Sequence, residues 1–124
     1  MERYWINKIM ENYKEQRPWG NFENLLDNDK CKVKRIIIKP GQAPSYQYHF
    51  KRSEVWVIVE GSGTLKLNDE ITPVRAGEII RVPVEAKHQI KNTGEVDLVF
   101  IEIQLGSYFG EDDIVRLEDN YGRV

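Results

Sequence analysis

The strongest constraint on the fold of this chain is a series of short β-branched segments separated by turn residues. Valine and isoleucine are concentrated in short runs, and glycine, proline or asparagine stands near the end of each run. Regularly spaced short strands with turn residues between them are typical of antiparallel sandwiches and barrels. We therefore predict an all-β domain, whose clearest strands are residues 33–39, 55–60, 64–67, 79–82, 89–91 and 98–105.

The two ends of the chain differ from this pattern. In the N-terminal segment, apolar residues recur at spacings of three and four, which predicts one face of a helix within residues 1–16. Pro18 and Gly20 would end that helix. The charged residues 107–124 are predicted to form a tail made of a loop and a short helix. We expect a single domain over residues 1–124, with its barrel at residues 31–106.

Charge and composition bound the partners and the compartment. The net charge is −2, so no excess of basic residues is available to neutralise nucleic-acid phosphates. Lys30, Lys32, Lys34 and Arg35 are interpreted as a solvated face at a strand edge. The chain has no apolar run of signal-peptide or membrane-spanning length, and the single Cys31 has no internal disulfide partner. We expect a cytoplasmic protein that binds neither nucleic acid nor membranes.

Four polar residues stand at spacings that suit a metal site inside such a barrel. Gln47 and His49 lie two residues apart, so on a strand their side chains point to the same side. Glu54 starts the next strand after a turn, and His88 starts another after Pro83. Imidazoles and a carboxylate are the usual ligands of a catalytic divalent metal. We therefore predict that Gln47, His49, Glu54 and His88 converge on one metal ion.

Two longer patterns around these residues carry a family resemblance. Residues 41–61 hold three of the four predicted ligands, and residues 77–92 hold His88. Both resemble the paired motifs of the cupin superfamily, with Gln47 where most metal cupins have histidine and Glu85 where the second motif usually has glycine. The resemblance implies a cupin double-stranded β-helix, or jelly-roll barrel, with a metal in its interior.

A closer resemblance is carried by residues 45–56, whose sequence is SYQYHFKRSEVW. This string is similar to the signature of type II phosphomannose isomerases, the C-terminal domain of bifunctional mannose-6-phosphate isomerase/mannose-1-phosphate guanylyltransferases. Three further segments agree with the same family: residues 17–20, 102–116 and 119–123. The chain is too short for a nucleotidyltransferase domain and has no Gly-rich phosphate loop, so the resemblance supports the isomerase half. Near the ligands, the chain differs from the family at Pro44, Tyr46, Phe50 and Lys51. These differences affect the expected shape of the substrate pocket.

The resemblance implies an enzyme that interconverts mannose 6-phosphate and fructose 6-phosphate. A divalent ion, which could be Zn²⁺, Mn²⁺, Co²⁺ or Ni²⁺, would polarise a substrate oxygen and stabilise an enediolate. Arg52 matches an arginine of the family motif and is expected, on a turn at the cavity mouth, to bind phosphate or developing negative charge. The catalytic base is left open between Lys51 and Glu60. A homodimer is expected by analogy with other cupins.

Three other functions stay open at this point. The chain could be a cupin that binds metal and sugar without turnover, an iron oxygenase, or a non-enzymatic scaffold that dimerises. Gln47 in place of a histidine argues against the oxygenase, because an amide oxygen makes the ligand set harder. The polar residues of the tail are either a surface ion-pair cluster or part of a site, and they are Glu111, Asp112, Asp113, Arg116 and Arg123.

Overall fold

The computed structural model describes residues 12–123, and its regular structure is entirely β. Eleven strands follow one another along the chain: β1 (Lys14–Arg17), β2 (Gly20–Asp27), β3 (Cys31–Ile38), β4 (Tyr46–Tyr48), β5 (Arg52–Glu60), β6 (Ser62–Leu67), β7 (Glu70–Arg75), β8 (Ile79–Val82), β9 (His88–Asn92), β10 (Leu98–Gly106) and β11 (Val115–Glu118). Residues 12–123 contain no helix that is long and apolar enough to cross a membrane.

The strands form two antiparallel sheets. The first has six strands in the order β1-β2-β3-β10-β5-β8, and the second has five in the order β11-β4-β9-β6-β7. Strands β5 and β10 alternate buried and partly buried residues over most of their lengths, which is the pattern of strands with one face on a core. The core receives side chains from both sheets, so it lies between them. The predicted all-β jelly-roll barrel is therefore confirmed.

The inner face of the six-stranded sheet changes from apolar to polar along its strands. Alternate residues of a strand share a face. The register of β3, β10 and β5 mostly places apolar residues beside apolar residues and polar residues beside polar residues on this face. At one end of this face the buried residues are Ile36, Ile38, Ile58, Leu98 and Phe100. At the other end the buried residues are Lys32, Lys34, Arg52, Glu54, Glu102 and Gln104. One end of the barrel interior is thus a hydrophobic core and the other is a polar chamber.

The structure differs from the sequence prediction at both ends of the chain. Residues 1–11 of the predicted helix lie outside the described residues, but residues 14–16 belong to strand β1 rather than to a helix. Strands β1 and β2 extend the six-stranded sheet, so the sheets begin before residue 31. The short helix predicted in the tail is wrong, because Val115–Glu118 forms strand β11 and pairs with β4.

The interpretation of the lysine-rich segment as a solvated strand edge is wrong for Lys32 and Lys34, whereas Lys30 and Arg35 are exposed. Strand β3 lies inside the six-stranded sheet, between β2 and β10. Lys32 and Lys34 are only 9% and 4% exposed, because they share the inward face of β3 with Ile36 and Ile38. This alternation is visible in the sequence and could have placed both lysines inside the barrel.

Candidate metal centre

Three of the four predicted ligands meet in the polar chamber. His49, Glu54 and His88 are each buried, and one ligand atom from each lies within 4.8 Å of the others. His49 Nε2 is 3.4 Å from Glu54 Oε2, and His88 Nε2 is 4.0 Å from Glu54 Oε1. Glu54 is the third residue of β5, His88 is the first residue of β9, and His49 directly follows β4. The structure thus brings these three residues together, and their role as metal ligands stays a prediction.

The hydrogen bonds of the two imidazoles suit them to bind a cation. His49 Nδ1 lies 2.5 Å from the carbonyl oxygen of Asp113, and His88 Nδ1 lies 3.0 Å from that of Ala86. A carbonyl accepts only, so Nδ1 carries the proton and the Nε2 lone pair of each ring points toward Glu54. Burial, with a contribution from Arg52, lowers the pKa of His49 to about 4. His49 is therefore neutral near pH 7, which metal binding requires.

Glu54 supplies the negative charge of the cluster. Burial by itself would raise the pKa of its carboxyl, but His88 and Arg52 outweigh burial and hold that pKa well below its usual range. Oε2 accepts a hydrogen bond of 2.9 Å from Arg52 Nε, and Oε1 accepts one of 2.9 Å from Trp56 Nε1. A carboxylate has further lone pairs, so both bonds are compatible with a bound cation. Two imidazoles and one carboxylate fit a divalent metal.

Arg52 lies deeper than the sequence predicted. It is the first residue of β5 rather than part of a turn at the mouth, and it is 5% exposed. Its Nη2 is 3.2 Å from His49 Nε2, and its Nη1 is buried without a hydrogen-bond partner among the described residues. Gly106, opposite Arg52 on β10, permits this packing, because a Cβ at that position would lie 2.2 Å from the carbonyl oxygen of Lys51.

Gln47 lies beside the three-residue cluster and lines the same cavity. It pairs across the sheet with His88, so the two side chains share a face. Its Nε2 donates to Ser45, to the hydroxyl at 3.0 Å and to the carbonyl oxygen at 3.2 Å. The amide oxygen is the Gln47 atom left to bind a cation, and its role as a ligand stays a prediction.

The structure does not bring the two residues considered as catalytic base to the cavity. Lys51 is exposed, and its Nζ lies 5.2 Å from the centroid of the Tyr108 ring. Glu60 is exposed at the far end of β5. Neither side chain lines the cavity that contains His49, Glu54 and His88. A base that acts on a substrate in this cavity must therefore come from other residues.

Glu102 is a carboxyl in the cavity wall that sequence reasoning missed. It is 6% exposed and lies opposite Lys34 on one side and Trp56 on the other. Burial and the neighbouring Glu54 carboxylate raise the pKa of Glu102 to about 8. Gln104 Nε2 donates to it at 2.8 Å. The alternation of β10 in the sequence could have found Glu102, since it shares a face with Phe100 and Leu98.

The C-terminal tail completes the site. Asp113 is buried, and its carboxylate accepts hydrogen bonds of 3.0 Å from the backbone N–H groups of Phe50 and Lys51. Its carbonyl oxygen holds the His49 ring. Glu111 forms an ion pair with the buried Lys34 in the cavity wall. Of the five tail residues that the sequence left open between a surface cluster and a site, only Asp112 is exposed away from the cavity. The other four are at the site: Glu111, Asp113, Arg116 and Arg123.

The cavity is lined by both sheets and by the tail. The space between its walls, including solvent at the mouth, is about 700 Å³. Five cationic side chains and three carboxylates line it, together with apolar residues such as Trp19 and Ile114. A polar ligand that carries negative charge suits this lining.

The fold and the site together define a class of protein. Two antiparallel sheets that enclose a buried His-Glu-His cluster, which could hold a metal ion, at one end of the barrel are those of a cupin. Within that class, the chain matches the family described as mannose-6-phosphate isomerase C-terminal over residues 6–119, and it belongs to that family.

Comparison with known proteins agrees with this assignment. The chain is 43% identical over 108 residues to the mannose-1-phosphate guanylyltransferase ManC of Salmonella typhimurium (strain LT2), which covers 87% of this chain and 22% of that protein. It is 42% identical over 123 residues to the xanthan biosynthesis protein XanB of Xanthomonas campestris pv. campestris (strain B100), covering 99% of this chain and 25% of that protein. The chain thus spans about a quarter of the length of these relatives.

A solved structure with the same barrel is the capsular polysaccharide assembling protein CapF of Staphylococcus aureus. It superposes with a TM-score of 0.73 at 25% sequence identity, over 86% of this chain and 32% of that one. The structural similarity supports the cupin fold.

Proposed function

We propose that this protein is a metal-dependent sugar-phosphate isomerase that interconverts mannose 6-phosphate and fructose 6-phosphate. The observation that carries the proposal is the buried cluster of His49, Glu54 and His88 inside a polar cavity, in a chain of the mannose-6-phosphate isomerase C-terminal family. With Gln47 beside them, these residues would hold the divalent ion, which is Zn²⁺, Mn²⁺, Co²⁺ or Ni²⁺.

The chemistry moves a hydrogen between the two adjacent carbons of an aldose and a ketose. A bound divalent ion would supply polarisation of the oxygen atoms on those carbons. Arg52 would place a fixed positive charge beside the developing oxyanion, since its Nη1 has no hydrogen-bond partner among residues 12–123. Glu102 is a buried carboxyl in the cavity wall, so it is our candidate for exchanging a proton with the substrate.

The proposal is tested by a coupled assay that follows fructose 6-phosphate formed from mannose 6-phosphate. We expect turnover by metal-loaded protein and its loss after chelation. His88→Ala should lose most of its metal, measured by elemental analysis, because it removes one of the chain's two imidazoles. Lys91→Ala, an exposed change on the same strand, should keep both metal and turnover.

The alternatives give different results in the same experiments. Metal-loaded protein that binds mannose 6-phosphate without turnover would instead be a binding cupin. Oxygen consumption with candidate substrates would identify an oxygenase, and a protein that retains no metal would be a scaffold. The cytoplasmic location and the homodimer stay predictions.

A further inference from the structure

One row of side chains leads from the metal cluster to the tail. Strand β9 pairs with β4 so that His88 lies opposite Gln47, and β4 pairs with β11 so that Gln47 lies opposite Arg116. Side chains directly opposite each other on antiparallel strands point to the same face. His88, Gln47 and Arg116 therefore form one row across the five-stranded sheet, and all three line the cavity.

Arg116 is the one arginine or lysine of the cavity wall that has no carboxylate partner among residues 12–123. The others pair with carboxylates, in the pairs Arg17–Glu15, Lys34–Glu111, Arg52–Glu54 and Arg123–Asp119. The Nε of Arg116 is buried and has no hydrogen-bond partner among residues 12–123. A buried donor without a partner costs free energy, and a ligand oxygen bound in the cavity would remove that cost.

We infer that Arg116 is the anchor of a phosphate subsite that binds the phosphate monoester of the substrate, at the opposite end of the ligand from the reacting carbons. This inference rests on the proposed function for the identity of the sugar, but the subsite itself is an anion site that can be tested by binding alone. The planar guanidinium presents N–H donors in the geometry that phosphate oxygens accept.

The spacing of the row fits such a ligand. Arg116 and His88 are separated by two strand spacings, or about 10 Å. That distance suits an open-chain hexose phosphate, whose reacting carbons are at one end and whose phosphate is at the other. Arg123 and Arg17 line the same cavity and add positive charge, but their pairing with Asp119 and Glu15 leaves Arg116 as the principal contact.

The subsite assigns a different task to Arg116 than to Arg52. Arg52 donates to Glu54 and lies 3.2 Å from His49 Nε2, so it acts where the sugar carbons react. Arg116 belongs to a different sheet and a different strand. Phosphate affinity should therefore depend on Arg116, and the metal content should not.

The test measures binding by calorimetry in full-length protein of known metal content. The ligands are inorganic phosphate, mannose 6-phosphate, mannose 1-phosphate and unphosphorylated mannose. Arg116→Gln should weaken binding of inorganic phosphate and mannose 6-phosphate by about tenfold or more, since it removes a charged bidentate donor. The matched control is Arg81→Gln, which removes one positive charge from an exposed position on β8. It should bind both ligands as the wild type does.

Arg116→Lys keeps the charge but lacks the planar fork, so its affinity for both ligands should fall between those of the wild type and Arg116→Gln. This variant decides the matter if Arg116→Gln does not fold, as judged by thermal melting. Weaker binding of mannose 1-phosphate than of mannose 6-phosphate would support a substrate with its phosphate remote from the reacting carbons, and equal binding would overturn that orientation.

The failures of the two proposals are distinguishable. Wild-type affinity for inorganic phosphate in Arg116→Gln or in Arg116→Lys overturns the subsite, even if the protein is an active isomerase. A wild-type protein that binds neither phosphate nor mannose 6-phosphate also overturns it. If Arg116→Gln loses affinity for phosphate but the wild-type protein shows no turnover, the subsite is supported and the isomerase proposal fails.

Discussion

Arg52 is the residue whose role the geometry constrains most closely. Its guanidinium donates to Glu54 and also approaches the Nε2 atom of His49. An imidazole offers one lone pair at that nitrogen, so Arg52 and a metal compete for His49. Glu54 has enough lone pairs for both. Arg52 is therefore beside the metal ligands without being one of them, and its charge is available to a substrate oxyanion.

We expect Arg52→Gln to lower turnover by about 10²-fold, the usual effect of removing a donor to a developing oxyanion. Its metal content should stay at the wild-type level, because no ligand is lost and His49 Nε2 is released from Arg52. Elemental analysis and the coupled assay together check this, with Arg81→Gln as the control for loss of charge. Loss of metal in parallel with activity would assign Arg52 a role in holding the site.

Glu102 gives a prediction about pH for the metal-free protein. Its carboxyl has a pKa raised to about 8 in the folded state, so the folded protein binds more protons than the unfolded chain between the usual value of 4.5 and 8. The contribution of Glu102 to stability is thus present below pH 4.5 and is lost as the pH rises toward 8. Each unit of displacement corresponds to about 1.4 kcal/mol.

Glu102→Gln mimics the neutral acid and should remove this loss. Relative to the wild type, the metal-free variant should become more stable as the pH rises from 5 to 8, measured by urea unfolding, while its turnover falls. Glu60→Gln, an exposed change on β5, should show no such trend. A stability difference that is the same at pH 5 and pH 8 would contradict the raised pKa of Glu102.

The turn between β8 and β9 contains the position of the second cupin motif that is usually glycine, and the backbone there has a positive φ. Glu85 occupies that position, and its φ of 66° lies in the left-handed region that favours glycine. Its backbone N–H donates to the carbonyl oxygen of His49 at 2.8 Å. The turn thus ties the segment that carries His88 to the segment that carries His49, at the cost of backbone strain in Glu85.

Glu85→Gly should relieve that strain and stabilise the protein by about 1 kcal/mol. The change should appear as a higher Tm with unchanged metal content. Val84→Gly is the matched control, because the neighbouring exposed residue has no positive φ to relieve. That control should lower the Tm through the greater entropy of the unfolded chain. A lower Tm in Glu85→Gly would show that its side chain contributes more than its strain costs.

Across the whole molecule, the C-terminal tail closes the polar end of the barrel. Strand β11 pairs with β4, and Asp113 bonds to the segment between β4 and β5 that includes Phe50 and Lys51. These contacts join residues that are far apart in the chain. The position of His49 therefore depends on folding of the complete barrel and not on the first motif alone.

Asp113→Ala should lower both stability and metal affinity. Two backbone N–H groups lose a charged acceptor, which costs about 1–3 kcal/mol, and the segment that carries His49 loses its attachment. Asp112→Ala is the matched control, because Asp112 is exposed and bonds only to the Tyr108 hydroxyl in the described residues. Denaturant unfolding and metal titration measure the two effects. Equal metal affinity in both variants would mean that the tail does not position His49.

Local patterns in the sequence determined much of this structure. Strand β8 was predicted with its observed bounds, and β9 with an error of one residue at each end, because alternation and turn residues act over a few positions. The convergence of His49, Glu54 and His88 followed from spacing around turns and from the family resemblance. Alternation along β3 and β10 also indicated that Lys34 and Glu102 face the barrel interior, although the lysines were interpreted as solvated.

Only the tertiary structure decided which segments pack against each face of the strands. Alternation tells which residues of a strand share a side, but it carries no information about the strand or tail packed opposite. The pairing of β11 with β4 and of β4 with β9 placed Arg116 in one row with His88. The packing around the start of β5 buried Arg52 beside Glu54. These contacts join distant segments, so their energies depend on closure of the barrel and are absent from any local stretch of the chain.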